Sequence, residues 1–249
     1  MRGLLRAARF GALCSAALLL LGASGVAIAA PSAPAMGADE IVEKISRRVA
    51  TQEDEYPGTY SRRQIVRKVL DPDDGSLRKL WEIEAEVWDF IEQKQQMKIL
   101  GCRLDGKKTS LEDCEPDLQG DPMLRIFGPD GKKNYQILLD GEATIDGARA
   151  YKLKIIAREK TARHFEGAMY FAVDSLQVLR AEGGLAKYPF GLKALSLQLG
   201  FEDLNGTSII AKGTSDLTIY VPLLYNERIV TEFKATDQKR LKASERPKD

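Results

Sequence analysis

The sequence has few of the residues on which most enzyme active sites depend. Its 249 residues include one histidine, three cysteines and two tryptophans. A hydrolase triad or a zinc site needs grouped histidine or cysteine side chains. His164, the one histidine, stands at the start of a predicted strand, where we expect its side chain to be half exposed. No phosphate-binding loop or dinucleotide-binding glycine pattern is present. The sequence therefore predicts no enzyme activity, no cofactor and no metal.

An excess of charge of one sign is also absent. The chain has 37 Lys and Arg residues against 36 Asp and Glu residues. Proteins that bind nucleic acid usually carry a strongly basic surface, because they must neutralise phosphates. We therefore expect no nucleic-acid partner.

The one long apolar run lies at the N-terminus. Residues 13–21 are almost entirely apolar, and 27–29 form a small-x-small cleavage site. This arrangement predicts a cleavable secretory signal peptide over 1–29, followed by a Pro/Ala-rich tether over 30–37 and export to the periplasm. Cleavage leaves a net charge of −2, because three positive residues are removed: Arg2, Arg6 and Arg9.

Two cysteines remain after this cleavage, Cys102 and Cys114. In an oxidising compartment, a pair at this spacing favours a disulfide that closes a short loop. Free thiols and a metal site are the alternatives, although a zinc site would need further Cys or His ligands nearby.

Apolar residues alternate with polar ones along most of the chain. Strands with this period have one apolar face and one solvated face, as in antiparallel sheets that contact water on one side. Strands are predicted from Tyr60 to Leu70, Leu77 to Asp89, Gln93 to Leu104 and, at the end, Glu227 to Ala235. The clearest alternation lies in Tyr135, Ile137, Leu139, Leu153, Ile155, Met169, Phe171, Leu195, Leu197, Leu199, Leu217, Ile219, Ile229 and Phe233.

Turn residues separate these strands. Asp146-Gly147 and Asn205-Gly206 are typical of tight hairpin turns, and the segment from Gly183 to Gly191 is expected to interrupt the meander. Residues from Thr236 onward are charged, and we expect them to be frayed.

The sequence supplies little helix to cover the apolar face. An amphipathic helix is predicted from Asp39 to about Thr51, and a short one begins at Asp121-Pro122. A curved sheet of about ten strands around one or two helices would leave an apolar cleft, and such clefts are typical small-molecule sites.

Several motifs in this pattern resemble the outer-membrane lipoprotein-sorting (LolA-like) superfamily of periplasmic carriers. The resemblance covers about 38–237, which leaves 238–249 as a flexible charged tail. The motifs are Ile145-Asp146-Gly147, Ala150-Tyr151-Lys152-Leu153, Gly167-Ala168-Met169-Tyr170-Phe171-Ala172-Val173-Asp174, Val178-Leu179-Arg180-Ala181-Glu182, Asn205-Gly206 and Glu232-Phe233.

The resemblance implies a mainly β (α+β) fold: an incomplete antiparallel β-barrel closed by helices over a hydrophobic cavity. It also implies non-covalent binding and transport of acylated molecules, with donor proteins in the inner membrane and acceptor proteins in the outer membrane. The segment between Cys102 and Cys114 is an addition to the pattern of the best-known carriers. No arginine matches their cavity arginine by motif.

The sequence therefore predicts a periplasmic carrier of lipids or acylated lipoproteins. The alternatives are an envelope sensor or protein-interaction module with a filled core and, less favoured by the motifs, a hydrolase. The residues predicted to line the cavity share the apolar parity of their strands: Trp81, Ile83, Val87, Met169, Phe171, Leu197, Leu199, Ile219 and Phe233.

Overall fold

The structure is a computed structural model. It describes residues 37–55, 58–90, 95–111, 114, 126–127, 130–222 and 225–242. The predicted signal peptide and the predicted helix at Asp121-Pro122 lie outside these residues, as does the predicted tether apart from Gly37.

The described residues form a long series of strands with one substantial helix. Helix α1 covers Ala38–Glu55, and a single turn of helix, α2, covers Gly131–Asn134. The strands are β1 (Gly58–Leu70), β2 (Leu77–Phe90), β3 (Gln96–Leu104), β4 (Lys107–Lys108), β5 (Tyr135–Ile145), β6 (Ala148–Ala157), β7 (Phe165–Ala172), β8 (Val178–Leu185), β9 (Leu192–Leu204), β10 (Thr207–Val221) and β11 (Tyr225–Arg240).

These strands form one antiparallel sheet in the order β4-β3-β2-β1-β11-β10-β9-β8-β7-β6-β5. Each strand pairs with its neighbour along the chain, except where β1 meets β11 in the middle of the sheet. Within the described residues no ladder joins β4 to β5, so the sheet is an incomplete barrel. The predicted fold class is confirmed, with eleven strands in place of about ten.

Helix α1 packs on one face of the sheet, which we call the inner face. Ile41 and Ile45 lie one turn apart and have no exposed surface, as expected for the apolar stripe of an amphipathic helix. They share a buried cluster with Leu153 of β6 and Phe171 of β7. The amphipathic helix predicted from Asp39 is confirmed, and it continues four residues beyond the predicted end at Thr51.

The tight turns have the backbone conformation that their sequences predict. Asp146-Gly147 has φ angles of 48° and 87°, and Asn205-Gly206 has φ angles of 53° and 89°. Two successive positive φ angles match the right-handed twist of a two-residue hairpin, which is why Asp-Gly and Asn-Gly are favoured there.

The predicted interruption from Gly183 to Gly191 begins too early, because only 186–191 form the loop between β8 and β9. Strand β8 continues through Gly183-Gly184 to Leu185 and pairs with both β7 and β9. Gly183 lies opposite Gly167, and a Cβ atom on Gly167 would lie 2.0 Å from the carbonyl oxygen of Glu182. These glycines therefore mark a close approach of two strand backbones rather than a break in the sheet.

The predicted end of the last strand, at Ala235, is also wrong. Strand β11 continues to Arg240 and pairs with β1 as far as Thr59. Leu241 follows with only 2% of its surface exposed, and its N–H donates to the carbonyl oxygen of Gly58 at 2.9 Å. Pairing with β1 orders a charged sequence whose composition alone suggested fraying.

In the part of the chain that the structure describes, no helix combines the length and the apolar character that crossing a membrane requires.

Candidate functional site

The ladders align inner-face side chains into rows that cross the sheet. Each row takes one residue from each successive strand, because antiparallel partners lie directly opposite each other on the same face. Along β2, β1, β11, β10 and β9, the Arg67 row contains Trp81, Arg67, Thr231, Ser215 and Leu197, and the adjacent Phe233 row contains Ile83, Ile65, Phe233, Gly213 and Leu199.

Two apolar clusters cover the two wings of the inner face. The α1 cluster lies over β5 to β9 and includes Ile41, Ile45 and Phe171, with Phe127 edge-on to Phe171 at a centroid distance of 5.4 Å. The disulfide cluster lies over β1 to β3 and includes Ile83 and Val87.

The disulfide itself belongs to the second cluster. Cys102 lies on β3, and Cys114 is bonded to it and buried. Ile99 and Met97 of β3 pack against the same cluster. The structure thus contains the predicted Cys102–Cys114 disulfide, which holds the segment after β4 against the inner face.

Small side chains occupy the middle of the inner face, between the two clusters. Gly213 and Ser215 of β10 lie between the larger residues of β9 and β11. A Cβ atom on Gly213 would lie 2.4 Å from Cε1 of Phe233 and 2.9 Å from Cδ2 of Leu199. The Phe233 ring therefore extends over Gly213 and occupies the space above it. Ser215, Leu197 and Leu199 are partly exposed, so this strip of β9 and β10, which we call the trough, is less completely covered than the two wings.

Two arginines lie on this apolar face, although the sequence comparison by motif found none. Arg63 is 5% exposed, bonds to Ser61 Oγ at 3.2 Å and forms an ion pair with Asp89. Its guanidinium carbon lies 4.8 Å from the centroid of the Phe233 ring. A buried cation is stabilised by this combination of carboxylate, hydroxyl and aromatic face.

Arg67 is the more available of the two arginines. It lies between Trp81 and Thr231 in its row. Its Nε is buried and has no hydrogen-bond partner among the described residues. An unsatisfied buried donor costs free energy, so Arg67 has unused capacity to bind an acceptor oxygen. The detectable sequence signal was its position, since Arg67 occupies the apolar parity of β1 between Ile65 and Val69. Arg63, two residues before Ile65, has the same parity.

The nine predicted cavity residues all lie on the inner face, but they are in different surroundings. Ile83 and Val87 are buried in the disulfide cluster, with Trp81 and Phe233 partly buried against it. Met169 and Phe171 are buried in the α1 cluster, with Leu199 partly buried against it. Leu197 and Ile219 are partly exposed and belong to neither cluster.

Helix α1 is attached to the sheet at one end by an arginine. Arg48 donates to the carbonyl oxygen of Ser175 in the β7–β8 turn and, at 2.8 Å, to that of Gly206 in the β9–β10 turn. These bonds fix the C-terminal half of α1 across two strand connections. The helix therefore closes its wing of the inner face in this structure.

The outer face carries a groove of a different kind. It has a volume of about 920 Å³ and is lined mostly by polar side chains. Lys152 Nζ lies 2.7 Å from Asp140, and Lys160 pairs with Glu166. The hydrogen bond from Lys152 lowers the pKa of the Asp140 carboxyl, so this pair stays charged at neutral pH. Such a surface does not suit an acyl chain.

His164 is buried, which corrects the prediction of a half-exposed residue. It is 4% exposed, its Nδ1 lies 2.6 Å from Thr161 Oγ1, and its ring packs edge-on to Tyr135 with centroids 5.5 Å apart. Tyr135 at the start of β5 packs against it although β6 lies between β5 and β7, a contact that the local pattern did not reveal. Among the described residues no group of three or more His, Cys, Asp or Glu side chains is arranged to hold a metal ion.

Comparison with known proteins finds similarity in structure. No protein-family model and no curated protein matches the sequence. A DUF1329 family protein from Desulfovibrio piger is 16% identical with a TM-score of 0.40, over 82% of this chain and 92% of that one. A putative outer membrane lipoprotein-sorting protein domain from Vibrio parahaemolyticus is 9% identical with a TM-score of 0.45, over 82% and 95% of the two chains.

A LolA superfamily protein from Nitrosomonas europaea is 13% identical with a TM-score of 0.39, over 82% of this chain and 94% of that one. This chain is thus similar to proteins that carry the name of the superfamily its motifs resemble.

Proposed function

We propose that this protein is a periplasmic carrier that binds the acyl chains of a lipid or lipoprotein on its inner face, and that it is not an enzyme. The observation that supports this proposal best is the trough between the two clusters. There, Gly213 and Ser215 of β10 lie beside apolar side chains that are only partly covered: Leu197, Leu199 and Phe233. Trp81 and Ile219 are also partly exposed on the inner face, farther from these small residues.

The binding energy would come from apolar contact. Each methylene transferred from water to the inner face is worth about 0.8 kcal/mol, so one or two acyl chains give useful affinity without directional bonds. Val87 and Phe171 have no exposed surface, so they would contact cargo only when the covering segments move. A donor protein in the inner membrane would load the acyl chains. Release would need an acceptor protein in the outer membrane that covers the chains better than the inner face does.

Arg67 supplies a polar end for this site. Its unpartnered Nε lies on the inner face beside Trp81. A carboxylate, ester or phosphate oxygen of an acylated molecule would satisfy this donor while the chain lies along the trough. A charge-assisted hydrogen bond of this kind adds about 1.5–3 kcal/mol when the partners are shielded from water.

Displacement of a fluorescent acyl probe from the delipidated protein tests this proposal. We expect fatty acid to displace the probe, and we expect Ser215→Leu to weaken probe binding because it fills the trough beside Leu197. Thr214→Leu is the matched control, since Thr214 is exposed on the outer face. Arg67→Met should weaken the binding of a fatty acid more than that of the uncharged fatty alcohol, whereas Lys68→Met on the outer face should affect neither.

The second candidate function is an envelope interaction module with a filled core. The complete burial of Val87 and Phe171 favours it. If the wild type binds no probe, carries no extractable lipid after purification, and Ser215→Leu simply lowers the unfolding temperature, then the inner face is a closed core and the carrier proposal is wrong.

A further inference from the structure

Exposed aromatic side chains gather at one end of the sheet, where β8 connects to β9 and β10 connects to β11. Phe190 is 91% exposed, and three tyrosines near it are 40–48% exposed. Leu192 pairs with Ile219, and Tyr220 N donates to the carbonyl oxygen of Gly191 at 2.7 Å, so the two connections are adjacent. We call this set the aromatic rim: Tyr188, Phe190, Tyr220 and Tyr225.

The loop that displays Phe190 is held in place by hydrogen bonds. Ala186 N donates to the carbonyl oxygen of His164 at 2.8 Å, and Leu192 N donates to that of Pro189 at 3.1 Å. The hydroxyl of Tyr188 donates to the carbonyl oxygen of Leu195 at 3.3 Å. Phe190 is therefore presented to solvent by an ordered loop, and no packing inside the described fold accounts for a phenylalanine there.

The charged groups at this end favour an anionic partner on the side of the β8–β9 loop. Lys193 Nζ lies 5.9 Å from the centroid of the Tyr220 ring, and in the described residues neither Lys187 nor Lys193 pairs with a carboxylate. Glu227 accepts a hydrogen bond from Tyr225, and Asp216 is paired with Arg228. The exposed acids Asp73 and Asp74 belong to the β1–β2 turn, on the far side of β11.

We propose that the aromatic rim docks the protein on the surface of an anionic lipid bilayer. Phenylalanine at a loop apex fits the boundary of the acyl region, tyrosine rings with polar tips fit the headgroup level, and lysines complement anionic lipid. Tyr188 and Phe190 lie in the β8–β9 loop, and Tyr220 and Tyr225 lie at the ends of β10 and β11. The rim is thus formed by one end of the sheet rather than by a flat face, which suits a fluid bilayer better than a rigid protein partner. This proposal does not depend on the carrier function.

Docking in this way would bring one end of the trough to the bilayer. Ile219 lies on the inner face one residue before Tyr220 of the rim, and Leu192 is its partner on β9. An acyl chain that leaves the bilayer at this end would contact Ile219 and Leu192 first and then the apolar side chains of the trough. The rim would therefore set the orientation in which the protein meets the membrane.

Cosedimentation with vesicles tests the proposal. The protein is purified as the cells produce it, and its N-terminal residue is determined first so that the form under test is known. We expect binding to phosphatidylcholine vesicles that rises when phosphatidylglycerol is added. Phe190→Ser should reduce the partition coefficient roughly tenfold, as expected when a phenylalanine side chain no longer leaves water. Leu138→Ser is the matched control, because Leu138 is 41% exposed on the outer face of β5, away from the rim.

Two further variants separate the charge and insertion components. Lys187→Gln combined with Lys193→Gln should abolish the increase caused by phosphatidylglycerol and leave binding to phosphatidylcholine unchanged. Phe190→Trp adds a third tryptophan to Trp81 and Trp88, and brominated lipid should quench the emission of this variant more than that of the wild type. Phe190→Ser should leave acyl-probe binding in solution unchanged, which distinguishes failure of docking from failure of the carrier function.

Three results would overturn the proposal. The wild type could bind neither kind of vesicle. Phe190→Ser and Leu138→Ser could bind equally well. Alternatively, Phe190→Ser could abolish a concentration-dependent dimer without any vesicle binding, which would assign the rim to contact between copies of this chain.

Discussion

At the scale of single residues, the inner face holds two arginines among apolar side chains, and the two differ in whether their guanidinium groups have hydrogen-bond partners among the described residues. Arg63 is enclosed by Asp89, Ser61 and Phe233, whereas Arg67 has a buried donor without a partner. Removing one member of a buried ion pair leaves the other charge uncompensated. Arg63 therefore has a structural role, and Arg67 is the arginine whose free donor can bind a ligand.

Tyr135 gives a prediction about pH dependence. It is 1% exposed, and its hydroxyl oxygen accepts a hydrogen bond from Phe165 N at 3.3 Å. Burial raises the pKa of Tyr135, so above about pH 10 the unfolded chain loses a proton that the folded chain keeps. The free energy of unfolding should then fall as pH rises through this range. Tyr135→Phe should make that decline shallower in urea titrations from about pH 8 to about pH 11.

The control for this measurement is Tyr188→Phe, since the Tyr188 ring is exposed. The pKa values of Tyr60 and Tyr170 are also raised, in both cases mainly by burial, so the decline should diminish without vanishing. An unchanged slope in Tyr135→Phe would show that Tyr135 does not titrate differently in the two states.

The sequence predicted which residues share the inner face but not which of them are covered. Alternation alone places Val87 and Leu197 in the same class, because both have apolar parity in a strand. In the structure Val87 is buried in the disulfide cluster, whereas Leu197 is partly exposed beside Ser215. Coverage depends on α1 and on Cys114, which the disulfide holds in its cluster, and no local pattern reveals which strands these residues pack against.

At the scale of elements, short sequence motifs predicted the hairpin turns correctly but misplaced the end of strand β8. Asp146-Gly147 and Asn205-Gly206 behave as predicted because their turn conformation is determined by the two residues themselves. Gly183-Gly184 was misinterpreted because a glycine pair is typical both of a loop and of a close strand contact. Only the partner strand, which places Gly167 opposite Gly183, distinguishes the two.

The disulfide gives a prediction at this scale. Alkylation of the unreduced protein should label neither Cys102 nor Cys114, because they are bonded to each other. Replacing both with alanine should lower the free energy of unfolding by about 3 kcal/mol, the value for a loop of this size when the bond restricts the unfolded chain. Denaturant unfolding measures the loss, and the reduced wild type should match the double variant. Two reactive thiols in unreduced protein would contradict the assignment.

At the scale of the whole molecule, the fold depends on one non-local ladder. Strand β1 pairs with β11 from Leu70–Arg228 to Thr59–Arg240, and every other ladder joins strands that follow each other in the chain. The sequence predicted a meander of hairpins, and the resemblance implied an incomplete barrel. Neither identified the pairing of the first and last strands, because long-range partners leave no periodic signal.

Two truncations test the importance of this ladder. Ending the chain after Ala235 removes the part of β11 that pairs with Thr59–Arg62 and the buried Leu241. It should cost well over ~2 kcal/mol, the lower value for truncating one large buried side chain. Ending the chain after Lys242 should be neutral. Thermal unfolding compares the two, and equal stability would mean that the residues after Ala235 do not hold β1.

The central position of β11 also has a consequence for the order of events during synthesis. Among the described strands, the one that completes the middle of the sheet leaves the ribosome last. Until then the hairpin of β1 and β2 has an unpaired edge, and such edges are prone to pairing with other chains. The edge of β1 therefore stays open to other chains until β11 has been synthesised, and this is the interval in which misassembly can begin.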